Sequence, residues 1–259
     1  MRPRLSVLLP TGNSAATVRN TLASVSWADE LLVVDSFSTD STLAICGEFG
    51  ARILQHEYRN SAAQKNWALP QCLHEWVLQI DSDEELSSGL REEICKAILN
   101  ASPAVKAFRI PRRNHFLGRW MRHGGVWPDY QIRIFRRDDC RWADREVHAH
   151  LQVPGEIVTL TQPFIHHDGL SISRRFRDLD SYTRYEADEL HKRGIRFHWY
   201  DLLLRPWAGF FYRYLWLQGF RDGWRGLIFC AYLAVYIFLA RAKLWEMQTL
   251  GLAESPRLP

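Results

Sequence analysis

The feature that most restricts the fold is an alternation in the first hundred residues, where short apolar runs take turns with segments of helical length. The short runs are 5–10, 31–35, 51–57 and 76–81. They read as strands buried on both faces of a parallel sheet. Helical patterns cover 15–24, 39–49, 62–73 and 87–100. Ser38 or Asp40 is placed to cap the second of these helices, and Ser87 or Ser88 the fourth. Strand and helix alternating at this spacing specify an open α/β sheet flanked by helices.

The texture changes after residue 107. Short strands at 107–111, 131–136 and 157–160 alternate with Gly-, Pro- and Arg-rich loops, which would complete the sheet and build one wall of a cleft. From Ser171 the pattern is helical nearly to the end. The expected division is therefore a catalytic domain over 1–170 and a helical, aromatic-rich region over 171–259. The short apolar stretch before Pro10 reads as a first strand rather than a signal peptide. Five scattered cysteines without a C-x-x-C pair suit reduced cytosolic thiols. Net charge is +4, and the 33 basic residues comprise 28 Arg and five Lys. Arginine's planar fork suits phosphate and anionic head groups, although a GC-rich genome also enriches it. No nucleic-acid-binding module accompanies the charge, so nucleic acid is not an expected partner.

Ligands of open α/β sheets bind beyond the carboxyl ends of the strands. Three such ends are polar here: Pro10-Thr-Gly-Asn13, Asp35-Ser-Phe-Ser-Thr-Asp40 and Asp81-Ser-Asp83-Glu84. In extended chain, Asp81 and Asp83 would project to one side. Two carboxylates there can hold Mg2+ or Mn2+, or one can hold the cation while the other grips a ribose hydroxyl. Acidic triplets also cap helices and solvate turns; the position directly after Trp-Val-Leu-Gln-Ile favours the cation. Asp35 ends an apolar strand and suits either a ligand N–H or a turn bond of its own. Lys65, beside Asn66 at the start of a helix, can face a diphosphate or solvent.

These pieces, in this order, resemble the family 2 glycosyltransferases of GT-A type. The resemblance rests on Ser-Val-Leu-Leu-Pro-Thr-Gly-Asn13, Leu-Val-Val-Asp-Ser-Phe-Ser-Thr-Asp-Ser-Thr42, Ala-Ala-Gln-Lys-Asn-Trp-Ala68 and Leu-Gln-Ile-Asp-Ser-Asp-Glu-Glu85. Further segments, among them Trp127-Pro-Asp-Tyr-Gln-Ile-Arg-Ile-Phe-Arg136, Val147-His148, His166-His167 and Gly219-Phe-Arg-Asp-Gly223, resemble a bacterial subgroup that includes lipopolysaccharide-core β-glucosyltransferases. The resemblance implies a UDP-sugar donor and Mg2+ or Mn2+. Asp35 would contact uracil, Thr11 and Asn13 would line the nucleotide pocket, and Lys65 and Asn66 would join the donor side. Asp81 would meet ribose or the metal, and Asp83 would bind the metal. The chain departs from the family with Gly12, Ser14 and Ala15 in its first loop and with Ala149 where subgroup members often carry Glu.

Inverting transfer needs a carboxylate to take the acceptor's proton. Glu146, Asp144 and Asp129 are the candidates, Glu146 first; each also has an Arg nearby to pair with. Trp127, Arg133, His148 and His166 are acceptor-side candidates. Neighbouring His166 and His167 on one strand would point oppositely, which argues against a joint metal pair.

The run 227–240 holds fourteen apolar residues between Arg225 and Arg241, short of the ~20 that a span requires. A re-entrant or interfacial helix is expected, or else one packed internally or between two copies. The expected activity is transfer of a hexose, led by glucose from UDP-glucose, to a lipid-linked saccharide at the inner face of the cytoplasmic membrane. The rivals are a non-catalytic module binding nucleotide sugars or lipid head groups, and a nucleotidyltransferase, which lacks support without a Gly-rich, Lys-containing first loop.

Overall fold

A computed structural model describes residues 4–143, 150–168 and 172–251. The chain opens with the expected alternation: β1 (Leu5–Thr11), α1 (Val18–Val25), β2 (Glu30–Asp35), α2 (Thr42–Glu48), β3 (Arg52–Gln55), α3 (Ser61–Ala68) and β4 (Trp76–Gln79). It continues through β5 (Glu84–Leu86), α4 (Ser88–Leu99), β6 (Val105–Phe116), β7 (Arg119–Trp120), β8 (Asp129–Arg136), β9 (Arg141–Trp142), β10 (Leu151–Gln152), β11 (Glu156–Thr159) and β12 (Phe164–Asp168). Three helices follow: α5 (Ile172–Lys192), α6 (Asp201–Phe211) and α7 (Gly223–Leu250), with a π-turn at Tyr212–Trp216 between the last two.

Two compact units emerge, one from Met1–His115 with Pro128–Asp168, the other from Phe116–Trp127 with Gly169–Pro259. In the first unit the main sheet runs β3-β2-β1-β4-β8-β6-β12-β5, with β11 alongside β6. Its first four strands are parallel, and β8 pairs antiparallel with both β4 and β6. Side chains alternate across β1. Leu5, Val7 and Leu9 pack with Val18 and Leu22 of α1 and Leu90 and Ile94 of α4, whereas Leu8 packs with Ala62 and Ala68 of α3. Burial on both faces is why β1, β2 and β4 read as apolar runs; the strand expected to be buried over 51–57 is instead the edge strand β3, with Arg52 and Gln55 exposed. The chain winds from β1 through β2 to β3, then returns to place β4 on the other side of β1. Such a reversal is where open α/β sheets place their ligands, here beyond the ends of β1 and β4.

Several strands differ from expectation. The run expected over 107–111 extends to Phe116 as β6, because Arg112 there is neutralised by Asp129 on β8. β5 and β12 pair with each other; a three-residue strand such as β5 leaves no period to read. The fourth strand stops at Gln79, and the Asp-Ser-Asp triplet sits in a turn closed by Glu84 N–H to the Asp81 carbonyl.

In the second unit, Ala187, Leu190 and Leu244 form a small core between α5 and α7. Gly226 meets the backbone of Gly219 so closely that a Cβ would lie 1.9 Å from its carbonyl oxygen. The 116–127 segment belongs to this unit through Asp222, whose carboxylate accepts the N–H groups of Arg122 and His123 at 3.0 and 2.8 Å. The apolar run expected over 227–240 lies inside α7, which is long and apolar enough to cross a membrane. The helix outruns the apolar segment because Arg241-Ala-Lys-Leu-Trp contains good helix formers.

Candidate active site

The first two loops are stitched together at the ends of β1 and β2. Asn13 takes a left-handed backbone (φ 49°) and accepts the Thr39 N–H at 2.8 Å. Its own N–H donates to Ser38 Oγ, which in turn donates to Asp35. Asp35 also accepts the Ser38 N–H at 2.9 Å and Gln55 Nε2 at 3.2 Å. The carboxylate expected to meet a base thus already serves its own turn, leaving limited acceptor capacity for a ligand. Thr11 Oγ1, at the end of β1, is buried without a hydrogen-bond partner among the described residues. Such an orphan is costly unless a ligand supplies the bond.

Beyond β4 lies a buried charge network. Arg133 of β8 donates to Gln79, to Asp81 Oδ2 at 2.9 Å and to Glu84. Lys65 Nζ stands 3.4 Å from Asp81 Oδ1, and Gln79 Nε2 donates to the same oxygen at 2.8 Å. Burial pushes the Asp81 pKa up, but Lys65 and Arg133 outweigh it and hold the carboxyl well below its usual range. Glu84, 1% exposed, shifts the other way: burial raises it against the opposing pull of Arg133. Arg133, expected on the acceptor side, is instead 7% exposed and spent on these partners.

A second chain of bonds leads to Asp83. Arg112 donates to Asp129 Oδ2 at 2.9 and 2.7 Å, and Asn114 Nδ2 donates to the same oxygen. Asn114 Oδ1 then faces His166 Nδ1 at 3.0 Å. This orientation of the amide makes Nδ1 the donor and leaves Nε2 directed at Asp83 Oδ2, 3.4 Å away. Nε2 there either carries a second proton or offers its lone pair, with the carboxylate, to a cation. Asp83 is 40% exposed on its side chain, so solvent and a phosphate can complete the coordination of a divalent ion. The donor set therefore fits Mg2+ or Mn2+ held by two protein ligands. Among the described residues no group of three or more His, Cys, Asp or Glu gathers for a metal. His166 was expected to face an acceptor; the fold sets it beside Asp83. His167 points away to Glu85 at 2.9 Å, as alternation along β12 requires.

The remaining candidates divide. Asp129 is a poor proton acceptor: burial raises its pKa, but Arg112, Asn114 and Gln131 together hold it low. Asn66 bonds both backbone groups of Trp142, at 2.9 and 3.0 Å, and so anchors β9. Trp127 lies in the second unit, edge-on to Trp120 at 5.2 Å between ring centroids. Asp144, Glu146 and His148 lie outside the described residues. Sequence patterns missed the Arg112–Asp129–Asn114 chain and the burial of Glu84. Gln79, a polar residue inside an apolar run, was the one visible sign of the network.

The profile of glycosyl transferase family 2 matches residues 6–152, which take in every strand end just described. The chain belongs to glycosyl transferase family 2. Among relatives of this glycosyltransferase, the lipopolysaccharide core biosynthesis glycosyltransferase LpsC of Rhizobium meliloti (strain 1021) is 28% identical over 95% of this chain and 93% of its own length. An uncharacterised glycosyltransferase of Rickettsia felis is 26% identical over 94% of this chain and 90% of its own. The fold is GT-A-like: the mannosyltransferase PcManGT of Pyrobaculum calidifontis, solved with GDP-Man and Mn2+, superposes with a TM-score of 0.57 at 16% identity, over 95% of this chain and 88% of that one.

Proposed function

We propose that this glycosyltransferase moves a hexose, with glucose from UDP-glucose as the leading donor, to a lipid-linked bacterial saccharide with inversion at the anomeric carbon. The inner core of lipopolysaccharide is the leading acceptor, met at the inner face of the cytoplasmic membrane. The similarity to LpsC along nearly the whole chain supports that acceptor. PcManGT, with GDP-Man and Mn2+ bound, supports a nucleotide sugar and a divalent ion as the class of ligands.

The observation that carries the reading is the division of labour between Asp81 and Asp83. Lys65 and Arg133 keep Asp81 ionised on the donor side, and the orphaned Thr11 hydroxyl at the β1 end awaits a partner. On the other side, Asp83 and His166 would hold the cation. When bound, that cation supplies charge neutralisation for the departing nucleoside diphosphate. As the acceptor oxygen bonds to the anomeric carbon and the bond to phosphate breaks, a carboxylate takes the acceptor's proton. Glu146 is the first candidate and Asp144 the second. The clamp of Asn66 on Trp142 fixes the backbone just ahead of that segment.

Release of UDP, measured across candidate donors with and without Mn2+ on a lipid-linked acceptor, tests the reading. Silence with every donor would overturn it. Asp83→Ala is expected to lower turnover by roughly a thousandfold, equivalent to several kcal/mol of lost charge stabilisation. Its circular dichroism should match the parent, because Asp83 is half-exposed and outside the core. Normal turnover in that variant would move the metal elsewhere.

A further inference from the structure

A helix on the surface of a protein in water turns an apolar stripe to the core and a polar face to solvent. α6 and the π-turn after it break that rule. Gly209 of α6 lies against α7, where a Cβ would sit 2.7 Å from Ile237 Cδ1. The outward side is apolar as well: Leu203, Trp207, Phe211 and Leu215 recur every four residues, with Leu204 and Trp216 beside them. These six are 49–78% exposed. Between residues 206 and 220 the only charge is Arg213, and its Nη1 is turned inward to the Gly124 carbonyl at 3.1 Å.

Charge frames this stripe. Six basic and three acidic side chains lie between 199 and 250. Two of the acids are already engaged within the unit: Asp201 pairs with Arg205 and Arg241, and Asp222 is hydrogen-bonded to the His123 ring and to backbone N–H groups. The surplus is positive and sits at the border of the apolar stretches, at Arg221 and Arg225. Aromatic rings beside cations suit the boundary between acyl chains and anionic head groups.

Two features argue against a crossing helix. The whole helix is long and apolar enough on average to cross, but its charge-free stretch between Arg225 and Arg241 rises only about 24 Å, less than the ~30 Å of a hydrocarbon core. One side of α7 is also occupied by the highly charged α5: Lys243 pairs with Asp180 at 2.7 Å, and the Arg175 guanidinium lies over the Tyr232 ring. Lipid surrounding α7 would have to bury those charges as well.

We propose that the outward face of α6 and its π-turn docks on one leaflet of an anionic phospholipid bilayer, inserting the six side chains to the depth of the upper acyl chains without crossing. This deepens the reading of a lipid-linked acceptor and rests on it for its purpose, though not for its physics.

The test uses the full chain without donor or acceptor, so its outcome is separate from that of the transfer reaction. Flotation is measured with vesicles of phosphatidylcholine alone and of an equal mixture with phosphatidylglycerol. The protein is expected to float with the anionic vesicles and to be released by salt in part. Lipids brominated near the head group should quench its tryptophan fluorescence more than lipids brominated near the chain ends. The double variant Trp207→Glu/Trp216→Glu should lose at least about tenfold in partitioning, with its circular dichroism unchanged. Absence of flotation with either vesicle overturns the proposal. So does stronger quenching from the chain ends, which marks a span. A vesicle-free dimer that the double variant converts to monomer also overturns it, because the face is then an interface between copies.

Discussion

Arg133 serves three partners with one guanidinium, and the site's electrostatics follow from it. Its fork reaches Gln79, Asp81 and Glu84, two of them acids on the same short turn. Without it, Glu84 at 1% exposure would keep only Arg112, 3.8 Å away, as a cationic partner. Arg133→Leu is therefore expected to cost about 3 kcal/mol of stability in urea denaturation, with kcat/KM falling as Asp81 loses its orientation. Arg133→Lys should recover part of the stability, since it restores charge but not the fork. Equal loss in both variants would show that packing rather than charge is at stake. Asn114 acts one bond further out, setting the tautomer of His166 through its carbonyl. Asn114→Ala is expected to weaken Mn2+ binding about tenfold, measured by titration of the free ion, with thermal stability little changed. Unaltered affinity would remove His166 from the cation site.

At the scale of elements, the parallel strands are tied at their amino ends by Glu30 at the start of β2. It accepts from Ser6 at 2.6 Å, from the Leu73 N–H at 2.7 Å and from Arg52. Burial raises its pKa, but these donors prevail and hold it below the ordinary value. The sign follows: a carboxyl lowered by folding stabilises the fold above its unfolded pKa, near 4.3, and that contribution is lost as pH falls. The parent should lose stability between about pH 5 and pH 3, and Glu30→Gln should show a shallower slope across the same window in urea melts. Identical slopes would place the acid-sensitive group elsewhere. The strands β1, β2 and β4 were legible because burial on both faces leaves a continuous apolar signature, whereas β3 at the sheet edge has exposed Arg52 and Gln55. β5, β9 and β10 were not, being two or three residues long and set by their partners rather than by their own pattern.

At the scale of the whole molecule, one unit is built from two stretches that are not continuous in sequence. The 116–127 segment leaves the strand-rich part and joins the helices that follow residue 168. Asp222, a hundred residues away in sequence, holds it through two backbone N–H groups and the His123 ring. Asp222→Ala should cost about 1–3 kcal/mol and expose 116–127 to limited proteolysis at a rate the parent does not show. Resistance equal to the parent would mean that other contacts carry the segment.

From the sequence alone came the alternation of the first four strands, the polar ends that gather at the crevice, and the identity of Asp81, Asp83, Asp35 and Thr11 as the groups to watch. Those are local properties, written in runs of neighbouring residues. The tertiary structure alone decided that Arg133 is a buried strut, that Asp129 is neutralised, and that His166 stands beside Asp83. Each of these outcomes depends on strands distant in sequence becoming neighbours in the sheet. A side chain's protonation and available lone pairs are set by what the fold places against it, and spacing along the chain carries no record of that.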